Sequence, residues 1–305
     1  MKYQIAVWMR AVRAPFFTAS IVPVALGGAV AWAQTGQVHA GLWALCFVGV
    51  MLAHAGSNMI NDFFDHLSGN DEINKYRSPF NGGSGSIQSG ALTPRQMRDG
   101  AILCYFGGFL IALYLVLLRG ALLVPLVIAG AVSGFMYTAH FAPLAHHGLG
   151  ELAVGLCFGP LPVMGTYYVL TGNFSSGALI ASVPVAFLIC AVLFINQFPD
   201  YEADRTVGKT NWVVRLGTRR AAVVYAVILA CAYGSIIAGV ATGTMALWSL
   251  LGLLTLPAGV VAAAVARRWH SSPRQLLPAS ALTVAAHLVT GLLVSFGYYL
   301  NRIHR

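Results

Sequence analysis

Charge is what this 305-residue chain has least of: only 9% of its residues are Asp, Glu, Lys or Arg, and the acids number nine. A soluble domain carries roughly 25% charged residues, so a soluble globule of this size is excluded. Cysteine is sparse as well. Cys46, Cys104, Cys157, Cys190 and Cys231 all fall inside apolar stretches without paired spacing, which argues against a disulfide frame and against a thiolate metal site. Strict apolar/polar alternation is missing, and with it the pattern of a membrane β-barrel.

What the chain has in abundance is apolar sequence, 58% of its residues at a mean hydropathy of +0.73. A span of the hydrocarbon core needs about 20 such residues, and a lipid-exposed span must satisfy its backbone groups within a helix. Nine stretches qualify, at 15–34, 41–61, 99–118, 121–138, 149–170, 177–196, 221–242, 246–266 and 277–299. The expected fold is all-α, a polytopic membrane protein of about nine transmembrane helices forming one domain over residues 1–305. The first run follows Lys2, Arg10 and Arg13 but is long, contains Pro15 and Pro23 and has no convincing cleavage site, so it is read as a retained helix.

The net charge of +9 does not point to nucleic acid, because its distribution follows the spans. With the N-terminus inside, fifteen of the eighteen Lys and Arg fall on the inner side, leaving Arg119, Arg302 and Arg305 outside. The positive-inside rule therefore predicts a cytoplasmic N-terminus in the cytoplasmic membrane, an external C-terminus, and cytoplasmic loops at 61–71 and 200–204. An eight-helix count would leave the N-terminal assignment intact.

Seven of the nine acids lie in those two loops, NDFFDHLSGND at 61–71 with Glu72 beside it, and DYEAD at 200–204. If the preceding helices run on by a turn, Asp62 and Asp65 share one face and Asp200 and Asp204 another. Each pair can grip a cation, and hard oxygen ligands suit Mg²⁺, which takes one or two carboxylates and shares a substrate's phosphate oxygens. Asn58-x-x-x-Asp62 and Asn196-x-x-x-Asp200 repeat one spacing, although Asn61-x-x-x-Asp65 fits it in another register. In either register the Asn amides are candidates to orient carboxylates or bind phosphate. Two related half-sites would set two metal ions about one diphosphate. Basic residues stand nearby: Lys75 and Arg77 after the first acids, Arg205 and Lys209 after the second. Arg215 reads equally as an orientation anchor. The Gly/Ser run at 82–86 is either a source of backbone N–H groups for phosphate or a flexible lid.

At these residues the chain resembles the UbiA superfamily of membrane prenyltransferases. It is most similar there to the 1,4-dihydroxy-2-naphthoate polyprenyltransferases of menaquinone synthesis, through NDFFDHLSGND, GGSGSIQSGALTPRQ, GLGELAVGLCFGPLPVMGTYYVLTG and DYEADRTVGKTNWVVRLG. The resemblance implies helices around a central cavity capped by the acidic loops, and Mg²⁺-dependent transfer of a prenyl group from its diphosphate to a small aromatic acceptor. It implies metal and diphosphate ligation by Asn61, Asp62, Asp65, Asp71, Asp200 and Asp204, and diphosphate contacts from Arg77, Arg205 and Lys209. Arg13 with Pro23 resembles the first-helix signature, and Tyr137 the position of a tyrosine near the reacting carbon. The chain departs from the pattern at His140, His146 and His147, where several relatives carry a permanent cation. Within this reading dihydroxynaphthoate is the expected acceptor, with loss of CO₂, and 4-hydroxybenzoate or homogentisate the alternatives. An ion-coupled transporter is the rival of another class, disfavoured because these acids sit at helix ends rather than at the bilayer midplane. The expected partners are the prenyl diphosphate, the acceptor and the lipid bilayer, with no nucleic acid and no obligate protein partner.

Overall fold

A computed structural model describes residues 2–137, 144 and 148–304. The described chain is helical: α1 (Lys2–Ala11), α2 (Thr18–Thr35), α3 (Ala40–Leu67), α4 (Asn70–Ile73), α5 (Pro94–Arg119), α6 (Val124–Met136), α7 (Gly150–Cys157), α8 (Pro160–Thr171), α9 (Ser176–Asn196), α10 (Tyr201–Thr206), α11 (Trp212–Leu216), α12 (Thr218–Ala241), α13 (Leu256–Trp269) and α14 (Leu277–Ile303). Eight described helical segments are long and apolar enough to cross a bilayer, and a shorter apolar one, Ala121–Met136, occupies the place of the expected fourth span. The protein is an integral membrane protein. Arg13 pairs with Asp62 and Asn74 bonds Asp200, so the end of α1 and both acidic loops lie at one end of the bundle.

Two departures from uninterrupted spans shape that bundle. The 149–170 stretch is broken into α7 and α8 at Phe158 and Gly159, because Pro160 and Pro162 cannot supply the ladder N–H groups. Gly159 permits the break: a Cβ there would stand 2.6 Å from Ala186 Cβ on α9. Irregular backbone at membrane depth is tolerated where it lines a cavity, and Cys157 and Phe158 at this elbow do line one. The second departure is at residues 247–255, where a 3-10 segment precedes α13; the Thr255 carbonyl accepts from Tyr233 Oη at 3.0 Å.

Packing at the centre joins α2, α8, α9, α12 and α14 through Val22, Leu26, Val163, Val185, Ile236 and Val294. α5 instead exposes Leu103, Phe106, Phe109, Leu113 and Leu117, a face suited to lipid. The apolar excess in the sequence is therefore divided between a packed interior and an outer apolar surface.

Candidate active site

At the end of the bundle shared by the acidic loops, a cavity of about 210 Å³ opens between α3, α6, α7 and α9. α3 is 28 residues long and runs six residues beyond the apolar stretch at 41–61, which places Asn61, Asp62 and Asp65 on regular helix. Asp65 and Asn61 face the cavity and bond to each other, Asn61 Nδ2 donating to Asp65 Oδ2. Asp62 turns away: it is 2% exposed, salt-bridged to Arg13, and accepts the Ser84 backbone N–H at 3.0 Å.

α9 does not run on in the same way. It ends at Asn196, and Asp200 stands at the N-terminus of the separate helix α10, so Asp200 and Asp204 are brought together by a short helix after Pro199 rather than by a continued span. This corrects the expectation of a simple extension. Proline at 199 offers no N–H to an α9 ladder, and the chain turns there.

The two loops are laced to each other. Asp200 Oδ1 accepts from Asn74 Nδ2 at 2.7 Å and from Asn81 Nδ2 at 2.6 Å; Asp204 accepts from Asn70 Nδ2 at 3.2 Å and Asn211 Nδ2 at 2.7 Å. Three of these four amides belong to the first acidic loop or the segment that follows it. Lys209 completes the link, its Nζ 3.7 Å from Asp65 and 3.6 Å from Asp204. Burial works to lower the Lys209 pKa, but Asp204, Asp65 and their neighbours outweigh it and hold the ammonium above its ordinary range.

Three carboxylates are raised as well, which for an acid favours the neutral form. Desolvation, reinforced by Asp65 and Asp62, raises Asp71 to about 7. Desolvation raises Asp204 to about 7 against the pull of Lys209, and raises Asp200 against the bonds from Asn81 and Asn74. Such crowding of acids costs free energy unless a cation enters.

Among the described residues no three His, Cys, Asp or Glu converge as a closed metal cage. The donor set nonetheless fits a hard cation that shares its coordination with substrate. Asn70 Oδ1, Asp71 Oδ2, Asn196 Oδ1 and Gln197 Oε1 are buried without partners, and all four side chains line the cavity. These unpaired atoms are acceptors, the complement of Mg²⁺.

The Gly/Ser run is neither a free lid nor a set of idle donors. Gly82 and Gly83 have φ of +74° and +73°, and a Cβ on Gly83 would stand 2.8 Å from Asp71 Oδ2. Arg10 Nε donates to the Ser84 carbonyl at 2.7 Å, and Arg77 Nε to the Gly82 carbonyl at 2.6 Å. Glycine is needed here for the left-handed turn and for close approach to the acids.

The structure gathers Arg13, Asn58, Asn61, Asp65, Asp71, Tyr137, Asn196, Asp200, Asp204 and Lys209 around the cavity. Asn58 spends its amide on the Val12 carbonyl at 2.9 Å. Arg77 sits beside the cavity, donating to the Asp71 carbonyl at 3.2 Å, and Arg205 is exposed and outside the lining. His140, His146 and His147 lie outside the described residues. Sequence reasoning missed Asn70, Asn74, Asn81, Asn211 and Arg10; three of those asparagines fall within twelve residues of a loop already marked by its acids.

The UbiA prenyltransferase family model matches residues 20–286. The chain is 31% identical to 1,4-dihydroxy-2-naphthoate octaprenyltransferase of Mycobacterium tuberculosis, over 95% of this chain and 96% of that protein. It is 28% identical to 2-carboxy-1,4-naphthoquinone phytyltransferase of Synechocystis, over 95% and 92%. The fold is similar to that of a UbiA homolog from Archaeoglobus fulgidus bound to GPP and Mg²⁺, with a TM-score of 0.57 and 15% identity over 95% of this chain and 99% of that one.

Proposed function

This chain belongs to the UbiA prenyltransferase family, and on that premise we propose that it transfers a polyprenyl group from its diphosphate to 1,4-dihydroxy-2-naphthoate with loss of CO₂. It is an intramembrane prenyltransferase, so the transporter reading falls away; the acceptor and the residue roles are the proposal. One observation carries the residue roles: two acid clusters from distant parts of the chain line one cavity, with four unpaired oxygens.

Asp65, Asp71, Asp200 and Asp204 are the proposed ligands of Mg²⁺, with Asn70 and Asn196 as supporting oxygen donors. The ion, when bound, neutralises charge on the diphosphate and so makes it a better leaving group. Lys209 adds a permanent cation between the clusters, placed to bond the departing diphosphate oxygens. Arg13 fixes Asp62 and, through it, the Ser84 loop, so that the rim is set before substrate arrives. As the allylic C–O bond breaks, positive charge develops at C1 of the prenyl group. Tyr137 in the cavity wall is the aromatic placed to attract such charge, and the apolar lining below the acids keeps water from it. The electron-rich ring attacks C1, and with a naphthoate the carboxylate at the attacked carbon leaves as CO₂. The relatives' naphthoate substrates favour this acceptor over 4-hydroxybenzoate. With the N-terminus in the cytoplasm, the site would open on the cytoplasmic face, where soluble diphosphates and acids are available.

Purified protein with Mg²⁺, geranylgeranyl diphosphate and a panel of aromatic acids tests the reading. The expected product is lighter than the simple prenyl adduct by one CO₂ and forms with dihydroxynaphthoate. A product only with 4-hydroxybenzoate, retaining its carboxylate, would overturn the acceptor assignment.

A further inference from the structure

The acids occupy the mouth of the cavity, but one imidazole lies well inside it. On α3 the positions His54, Asn58, Asn61 and Asp65 follow one another at intervals of four, three and four residues, which keeps them on one face, and all four line the cavity. At 1.5 Å per residue, His54 is roughly 16 Å along the helix axis from Asp65. Its ring is held from three sides. Ser20 Oγ bonds Nδ1 at 2.9 Å, and the rings of Phe158 and Phe17 stand 4.6 and 5.6 Å away between centroids. Of the nearby polar groups of the wall, Ser57 is engaged with Tyr105 Oη at 3.0 Å and Ser133 with Cys157, while Arg13 pairs with Asp62 and keeps a buried, unpaired Nε. Among the described residues Nε2 of His54 has no protein partner, and unlike Nε2 of the core residue His287 it is not an enclosed, unpaired atom.

A prenyl chain is hydrocarbon and makes no use of such a nitrogen. The other substrate of the proposed reaction carries ring hydroxyls, and its flat ring matches the aromatic flanks. Resting on that reading, we infer that His54 is an acceptor-positioning residue: its Nε2 hydrogen-bonds a ring hydroxyl of the aromatic acceptor, with the ring packed against Phe158. Ser20 fixes the imidazole's orientation, and because a hydroxyl can donate or accept, it leaves Nε2 able to take either role toward the substrate. A histidine that merely packed α2 against α3 would influence both substrates alike.

Steady-state kinetics on the purified enzyme separate the two cases. His54→Leu is expected to raise KM for dihydroxynaphthoate about tenfold or more, as expected for loss of a buried hydrogen bond, while KM for geranylgeranyl diphosphate stays within about twofold. His54→Gln, which keeps a polar group there, is expected to recover most of the loss. The inhibition constant of 2-naphthoate, which has no hydroxyl, is expected to be the same in wild type and His54→Leu. If the leucine variant does not fold, Ser20→Ala, which frees the ring without removing it, is expected to raise the acceptor KM alone. An unchanged acceptor KM, a parallel rise for both substrates, or an equal loss of 2-naphthoate binding overturns the inference and leaves prenyl transfer to the aromatic acid standing. A wild-type enzyme that prenylates no aromatic acid overturns the reading beneath it.

Discussion

Asp62 and Asp200 follow an asparagine at the same spacing in the two halves of the chain, yet the structure treats their surroundings in opposite ways. Around the first loop the acids are met by permanent cations, Arg13 on Asp62 and Arg77 beside Asp71. Around the second they are met by neutral amides, Asn74 and Asn81 on Asp200, Asn70 and Asn211 on Asp204. A cation cancels a carboxylate's charge; an amide fixes its orientation and leaves the charge available. The first loop is thus partly neutralised and built into the rim. The second is oriented but short of positive charge, with Lys209 its one ion-pair partner among the described residues.

The largest effect should come from removing charge at the cavity itself. Asp65→Asn and Asp200→Asn are each expected to lower turnover by about 1,000-fold or more with the thermal unfolding temperature in detergent little changed, because the amide keeps the shape and loses the charge. Next is the link between the regions: Lys209→Met should reduce kcat/KM for prenyl diphosphate roughly 100-fold, with partial recovery in Lys209→Arg. The cation and amide sides then part company. Arg13→Ala strands the buried Asp62 and should cost about 3 kcal/mol or more of stability, measured by detergent unfolding. Asn81→Ala leaves Asn74 on Asp200 and should cost only about 3- to 10-fold in activity.

A further effect belongs to the metal-free protein. Asp71 and Asp204, each pushed up to about 7 by burial, keep protons in the folded state that the unfolded chain releases near pH 4. Their contribution to stability is present at low pH and is lost as pH rises from about 4 through about 7. In EDTA the unfolding temperature should therefore be lower at pH 8 than at pH 6, and Mg²⁺ should restore it at pH 8. Greater stability at pH 8 in EDTA would show that these carboxyls are not held protonated.

Much of this was visible in the sequence because membrane proteins spend charge sparingly. Seven acids in two short segments marked the site, and the basic residues predicted that both segments share a face. α3 does continue to Leu67, as the i, i+3 spacing of Asp62 and Asp65 requires, but Arg13 and the Ser84 N–H hold Asp62 away from the cavity that Asp65 lines, and Pro199 turns the chain where a continuous helix is expected. The asparagine lacing was not legible: Asn74 and Asn81 meet Asp200 across 126 and 119 residues, and no local periodicity encodes such a contact. Lys209 was singled out for its charge, but its place between Asp65 and Asp204 depends on how the two loops fold together. Arg205 carries the same charge and lies exposed, a distinction that spacing from Asp204 does not make.

Equilibrium binding of radiolabelled geranylgeranyl diphosphate to the purified protein, titrated with Mg²⁺, tests the central claim most directly. If both acid clusters hold one metal-complexed diphosphate, wild-type binding tightens with Mg²⁺ and that gain disappears in both Asp65→Asn and Asp200→Asn. Binding that ignores Mg²⁺, or a full Mg²⁺ response in either variant, would contradict it.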